Sequence, residues 1–198
     1  MTLLVATRNP GKARELRELL APEGIEVLGL AGMPGAPEVT EDGSTFRDNA
    51  RKKARALAEW AGVPVLADDS GLEVEALGGR PGVLSARYAG PGSSDQDNNR
   101  RLLEELHGVP PERRGAAFVC AMALVVPGRE DTEAEGRLEG RILESPRGRG
   151  GFGYDPLFSV EGTERTLAEL EVGEKNRFSH RARALGALLP SLRALGRN

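Results

Sequence analysis

Apolar and polar positions along this chain follow two periods. Leu3, Leu4, Val5 and Ala6 form a short apolar run, and Leu16, Leu19 and Leu20 recur at spacings of three and four. A strand over 3–6, a loop over 7–11 and a helix over 12–20 are therefore predicted. A short strand over 25–28 interrupts the irregular, Gly- and Pro-rich stretch of 21–43. From Ser44, read as an N-cap, Phe46, Ala50, Ala54, Leu57, Ala58 and Ala61 mark the buried stripe of a helix ending at Gly62.

Val63 to Ala67 reads as a buried strand that Asp68-Asp69-Ser70-Gly71 ends in a turn, after which Leu72, Val74 and Ala76 alternate with Glu73 and Glu75 as a second strand. Ser94 and Asp97 have capping-box spacing before a helix that reaches Leu106. A long apolar strand over 116–126 and an alternating one over 134–142 flank Pro127-Gly128, the pattern of an antiparallel pair. A glycine loop over 147–156, a short helix over 166–170 and a closing helix with Phe178, Leu185, Leu188, Leu189, Leu192 and Leu195 inward, bent at Pro190, complete the pass. The alternation is that of an α/β protein.

At 198 residues the chain supports one sizeable core, or one core split by a cleft, so a single bilobed domain is expected over 1–198. A net charge of -3 argues against a protein that lives on nucleic acid or an anionic membrane. The first residues lack a signal-peptide pattern and no run of about 18 apolar residues occurs, so a cytoplasmic protein without a membrane segment is expected. Cys120, the single cysteine, falls in the apolar strand and reads as a buried, inert thiol. Of 27 Lys plus Arg residues only Lys12, Lys52, Lys53 and Lys175 are lysine. An ammonium kept against an arginine bias suits a tight site for a point charge, although chance retention explains it as simply.

Charge placement supplies the chemistry. Adjacent carboxylates at Asp68 and Asp69 repel unless solvated or bridged by a cation, and Glu41 is a third acid that could join them around a hard divalent ion. Lys12 stands in the first turn of a helix, where the dipole disfavours a cation unless an anion faces it. Phosphate is one such anion, and an exposed lysine beside capping side chains is the alternative. Lys53 lies one turn from Asn49 at the border of its helix's apolar stripe. Phe152 and Tyr154 sit in a glycine loop and could stack on a planar ligand or fold back as core plugs. Ser179-His180-Arg181 gathers donors at the start of the last helix. His107 ends a helix and is assigned no chemistry.

Five segments together resemble the non-canonical purine nucleoside triphosphate pyrophosphatases, also called inosine triphosphate pyrophosphatases. They are ATRNPGK at 6–12, EDGSTFRDNARKKA at 41–54, LADDSGLEVEALGGRPGVLSARYAG at 66–90, GGFGYDPLF at 150–158 and EKNRFSHRARAL at 174–185. Arg8 departs from the small residue that many members carry there. The resemblance implies a long mixed β-sheet flanked by helices, two lobes with the active-site cleft between them, and a homodimer. It implies Mg2+-dependent hydrolysis of ITP, dITP and XTP to a nucleoside monophosphate and pyrophosphate. Thr7, Arg8, Asn9, Pro10, Gly11 and Lys12 would hold the triphosphate with Lys53, and Glu41 and Asp69 would bind metal with Asp68 assisting. Asp69 would also take the proton of the attacking water. Ser70 would touch substrate, the Phe152-Gly153-Tyr154 loop would meet the purine, and Asp155, Lys175, His180 and Arg181 would frame base and sugar. Two other functions remain open: a house-cleaning pyrophosphatase of modified pyrimidine nucleotides, and a nucleotide-binding module without catalysis.

Overall fold

The computed structural model describes residues 1–196. In chain order its elements are β1 (Thr2–Val5), α1 (Pro10–Leu20), β2 (Glu26–Gly29), α2 (Phe46–Ala61), β3 (Val65–Val74), α3 (Asp95–Glu105), β4 (Gly115–Val125), β5 (Thr132–Ile142), β6 (Phe158–Val160), α4 (Val172–Lys175) and α5 (His180–Leu195). The strands form one six-stranded sheet in the order β2-β1-β3-β4-β5-β6. β1 runs parallel to both β2 and β3, whereas β5 and β6 are antiparallel. β4 and β5 are neighbours joined only through 126–131, too short a link for a parallel crossover, which makes them the expected antiparallel pair. The sheet is mixed and flanked by helices.

Local chemistry explains most boundaries. Asn9 caps α1 by accepting from the N–H groups of Gly11 and Lys12 at 2.8 and 3.1 Å, and Pro10 occupies the first turn, where a missing N–H costs nothing. Gly62 stops α2 with φ +65°. The cap of α2 is Thr45, not Ser44: its hydroxyl accepts from the Asp48 N–H at 3.1 Å. Ser94 and Asp97 form the capping box their spacing predicts. The helix expected over 166–170 reduces to one 3-10 turn, Leu167–Glu169.

The larger departure is β3, which passes through Asp68-Asp69-Ser70-Gly71 without turning. Adjacent acids usually leave a strand for water. Here Asp68 and Asp69 are 1% and 5% exposed and are met by cationic and amide side chains, so the ladder continues.

The chain divides into two compact units. The first comprises Met1–Asp69, Cys120–Gly136 and the segment from Ser179 on; the second comprises Ser70–Val119 and Arg137–Phe178. Each has its own core. In the first, Leu3, Val5, Leu66, Cys120 and Met122 pack with Leu16 and Leu20 of α1 and with Leu185, Leu188 and Leu192 of α5. In the second, Leu72, Val74, Phe118 and Leu138 pack with Leu102, Leu106 and Phe158, the Phe118 and Phe158 ring centroids lying 4.8 Å apart. Gly136 brings β5 against the start of α5: a Cβ there would fall 2.1 Å from the His180 carbonyl oxygen. Only a glycine admits that approach. Among the described residues no helix is long and apolar enough to cross a membrane.

Candidate functional site

Within the first unit, the C-terminal end of β1 runs parallel to the start of β3, Leu4 and Val5 opposite Val65 and Leu66, and α1 and α2 supply side chains to the residues that follow. Asp68 meets two cations. Its Oδ2 lies 3.1 Å from Lys12 Nζ and 3.2 Å from Arg181 Nη2. Burial alone would lift this carboxyl, but Lys12, then Arg181 and Lys53, hold it well below the usual carboxylate range. The anion that Lys12 needs at its helix start is thus first of all a carboxylate of the same chain.

Arg181 is fully buried, and its other terminal nitrogen, Nη1, donates to Glu15 of α1. Burial opposes this cation, while Asp68 and Glu15 outweigh the penalty and raise its pKa. Its fork is therefore spent on two internal carboxylates. His180 lies beside it in the first turn of α5, 4% exposed.

Asp69 is arranged differently. Asn49 Nδ2 donates to its Oδ2 at 2.9 Å, and Lys53 Nζ lies 3.9 Å from its Oδ1 while bonding Glu41 Oε1 at 2.8 Å and the Asp68 carbonyl. Burial, reinforced by the charge of Glu41, pushes the Asp69 carboxyl up against the pull of Lys53 and Lys12. Lys53 sits inside this acidic ring with its own pKa raised, since Asp68, Asp69 and Glu41 overcome the burial that would lower it. Asn49 also accepts from the Gly43 N–H at 2.8 Å, so one amide fixes both the Glu41 loop and Asp69.

Glu41 and Asp69 fit a hard cation: both face the Lys53 ammonium, and the like charge of one raises the pKa of the other. Among the described residues no three His, Cys, Asp or Glu side chains converge on a metal-sized centre, and Asp68 is occupied by Lys12 and Arg181. Two carboxylates with the remaining positions left to substrate oxygens and water is the usual arrangement for magnesium.

The remaining residues of the 7–12 loop flank these groups. Thr7 Oγ1 accepts from the Asn9 N–H at 3.2 Å, and exposed Arg8 turns away to the Ala36 carbonyl at 3.1 Å. Asn9 spends its Oδ1 on the helix cap, which leaves its amide N–H groups for an anion.

The second unit holds a separate cluster. Lys175 Nζ pairs with Asp155 Oδ2 at 2.7 Å, both side chains being buried, and stands 4.9 Å from the centroid of the Phe152 ring. Asp155 Oδ2 also accepts from the Phe152 N–H at 3.0 Å. Gly151, at φ +72°, makes this close packing possible, because a Cβ would fall 2.1 Å from Asp155 Oδ2. The two aromatics of the loop part ways. Tyr154 is a core plug, 3% exposed, its hydroxyl donating to the Ser85 carbonyl at 2.8 Å, whereas Phe152 remains half-buried with Lys175 on one face. Ser70 is half-buried in β3, directly after Asp69.

Sequence reasoning passed over Glu15 and the role of Asn49. Both carried a signal: each is a polar residue buried on the inward face of an amphipathic helix, Glu15 next to Leu16 and Asn49 next to Ala50.

A mixed sheet flanked by helices, with buried carboxylates and ammoniums gathered on β3 and the neighbouring helices, defines an α/β protein. The chain belongs to the Ham1 family, whose model matches residues 3–191. It is 53% identical to the dITP/XTP pyrophosphatase of Geobacillus kaustophilus over 186 residues, covering 94% of this chain and 91% of that protein. It is 50% identical to the dITP/XTP pyrophosphatase of Bacillus subtilis over 191 residues, covering 96% of each. Among solved structures, the Staphylococcus aureus Ham1 protein superposes with a TM-score of 0.86 at 37% identity, covering 98% of this chain and 99% of that one. The dITP/XTP pyrophosphatase of Mycobacterium abscessus does so with a TM-score of 0.77 at 50% identity, covering 96% and 100%.

Proposed function

We propose that this chain hydrolyses deaminated purine nucleoside triphosphates, dITP, ITP and XTP, to the monophosphate and pyrophosphate. The observation that carries the reading is the Asp69 environment: a buried carboxylate of raised pKa, held by Asn49 beside Glu41 and an ammonium, in a chain about half identical to dITP/XTP pyrophosphatases along nearly its whole length.

In this reading Lys12, Lys53, Thr7 and the Asn9 amide hold the phosphates, and Gly11 lets the backbone come close to them. Glu41 and Asp69 hold magnesium, with Asp68 adding negative charge nearby. Magnesium, when bound, supplies charge neutralisation at the phosphate oxygens and Lewis acidity toward water. Asp69 takes the proton of the water that attacks the α-phosphorus; the α–β anhydride bond breaks and the electron pair leaves with pyrophosphate. Lys12 and Lys53 stabilise the charge that develops on the leaving group. Asp68, held ionised by Lys12 and Arg181, keeps the Lys12 ammonium in place.

On the base side, Phe152 stacks on the purine through the ring face opposite Lys175, and Ser70 and Asp155 complete the contacts. Lys175 and His180 are the donors assigned to the 6-keto oxygen. Adenine presents an amino group there, and a buried donor left facing it is costly enough for strong discrimination. Arg181, bound to Glu15 and Asp68, is assigned to positioning and not to the base. A cytoplasmic homodimer, implied by the resemblance of the five motifs, is kept as the working assembly.

The test is a product assay with Mg2+ and dITP, ITP, XTP, dATP and modified pyrimidine triphosphates. Monophosphate plus pyrophosphate from the deaminated purines is expected. Diphosphate plus phosphate, or faster turnover of the pyrimidines, would overturn the reading, and tight binding without turnover would make the chain a binding module.

A further inference from the structure

The loop that carries Phe152 is held by α3 at one residue, Gly153. The Gly153 N–H donates to Asp95 Oδ2 at 2.6 Å, and Asn99 Nδ2 donates to the Gly153 carbonyl at 3.0 Å. Asp95 and Asn99 are four positions apart, so one helix face presents an acceptor and a donor one turn apart, matched to the two polar groups of Gly153. Gly153 has φ +61°, a conformation that suits glycine and aims both groups at the helix. On either side the loop is already fixed: Phe152 N–H by Asp155, and Tyr154 by burial and its bond to Ser85. The Phe152 ring is half-buried with Lys175 Nζ 4.9 Å from its centroid, so where it is presented depends on how the peptide groups around it are held.

We infer that Asp95 and Asn99 are positioning residues for purine recognition, setting the plane of the Phe152 ring by clamping Gly153. The inference rests on the reading of Phe152 as the purine platform and extends it to two residues of α3 that would act through Gly153. Asp95 stands in the first turn of α3, where a carboxylate also suits the helix dipole; that accounts for the residue type but not for its bond to a loop 58 positions away. Asn99 has no capping role. Its amide reaches the Gly153 carbonyl, and its Oδ1 is buried without a hydrogen-bond partner, an arrangement that helix stability does not call for.

The experiment measures steady-state dITP hydrolysis by the full chain and by Asp95→Ala, Asp95→Asn and Asn99→Ala, with inorganic tripolyphosphate as a competitive probe of the phosphate side. Loss of one clamp bond is expected to raise KM for dITP by about tenfold while kcat stays within about threefold, the scale of a single hydrogen bond. Asp95→Asn keeps an acceptor for the Gly153 N–H and is expected to restore KM. The inhibition constant for tripolyphosphate is expected to stay unchanged in every variant. A KM that does not move, an equal rise in the tripolyphosphate constant, or failure of Asp95→Asn to rescue would each overturn the inference. Should an alanine variant melt below the assay temperature, amide exchange of the wild-type chain decides: a Gly153 N–H exchanging at its intrinsic rate rules the clamp out, and a protected one supports it. If the wild-type chain leaves dITP intact, the functional reading itself fails and this inference falls with it.

Discussion

Nη2 of Arg181 stands 3.2 Å from Oδ2 of Asp68, a residue 113 positions earlier in the chain. Glu15 takes the other end of the same guanidinium, so one buried cation ties β3, α1 and α5 together. Such a group is weak evidence for net stability but costly to break from one side. Arg181→Ala is expected to lose about 3–5 kcal/mol of unfolding free energy, because Glu15 and Asp68 both lose a buried countercharge, although Asp68 keeps the Lys12 ammonium. The double substitution Glu15→Gln with Arg181→Met is expected to lose less than Arg181→Ala alone. Denaturant titration of the variants checks both, and a loss under about 1 kcal/mol for Arg181→Ala would mean the network is not coupled as drawn.

Asp69→Asn preserves shape and the hydrogen-bond acceptor facing Asn49 while removing the group able to take a proton. Turnover of dITP is expected to fall by at least about a hundredfold, with the melting temperature little changed. Turnover within threefold of wild type would remove Asp69 from the role of base.

Gly151→Ala tests the packing beneath Phe152. The added methyl meets Asp155 Oδ2 and the backbone at φ +72° disfavours any side chain, so a loss of about 1–2 kcal/mol from the backbone alone is expected, with more from the displaced Asp155–Lys175 pair. KM for dITP is expected to rise in the same variant. An alanine chain with unaltered melting and KM would show that the loop adapts freely.

Hydrogen bonds from the Ser94 hydroxyl and N–H, followed by Arg100, hold the Asp97 carboxyl at about 2. The folded value lies below that of the unfolded chain, so the capping box contributes stability above about pH 4 and loses it progressively as pH falls toward 2. NMR titration of the Asp97 carboxyl checks the midpoint. Ser94→Ala is expected to move it upward, toward the ordinary aspartate range; an unmoved midpoint would assign the shift to Arg100 instead.

Burial pushes the Cys120 thiol up to about 12, leaving almost no thiolate at neutral pH. Labelling by an aromatic disulfide reagent is therefore expected only on unfolding, with a rate that follows denaturant. Fast labelling of the native chain would place the thiol at an accessible surface.

How much of this was legible beforehand depends on the range of the interaction. The apolar stripes of α1, α2 and α5, the Ser94 cap, the glycine stop at Gly62 and the buried thiol were all readable, because periodicity and capping act over a few residues. The prediction of a turn at Asp68-Asp69 failed for the complementary reason. Local rules send paired acids to water, and nothing within a few residues of them announces Lys12, Arg181, Lys53 and Asn49 as their partners. The same limit hid the partner of Glu15, a cation 166 positions away.

The amino-acid order alone determined most of the strands and helices, several of their caps, and, through five motifs in register, the family. Folding in three dimensions decided what each charge does: Asp68 is an internal counterion and Asp69 a carboxylate of raised pKa, though they are neighbours of identical type. It likewise sent Tyr154 into the core and left Phe152 half-buried beneath an ammonium. Alternate residues of a strand face opposite sides of the sheet, so adjacent identical side chains meet different surroundings, and charge energetics follow those surroundings more than residue type.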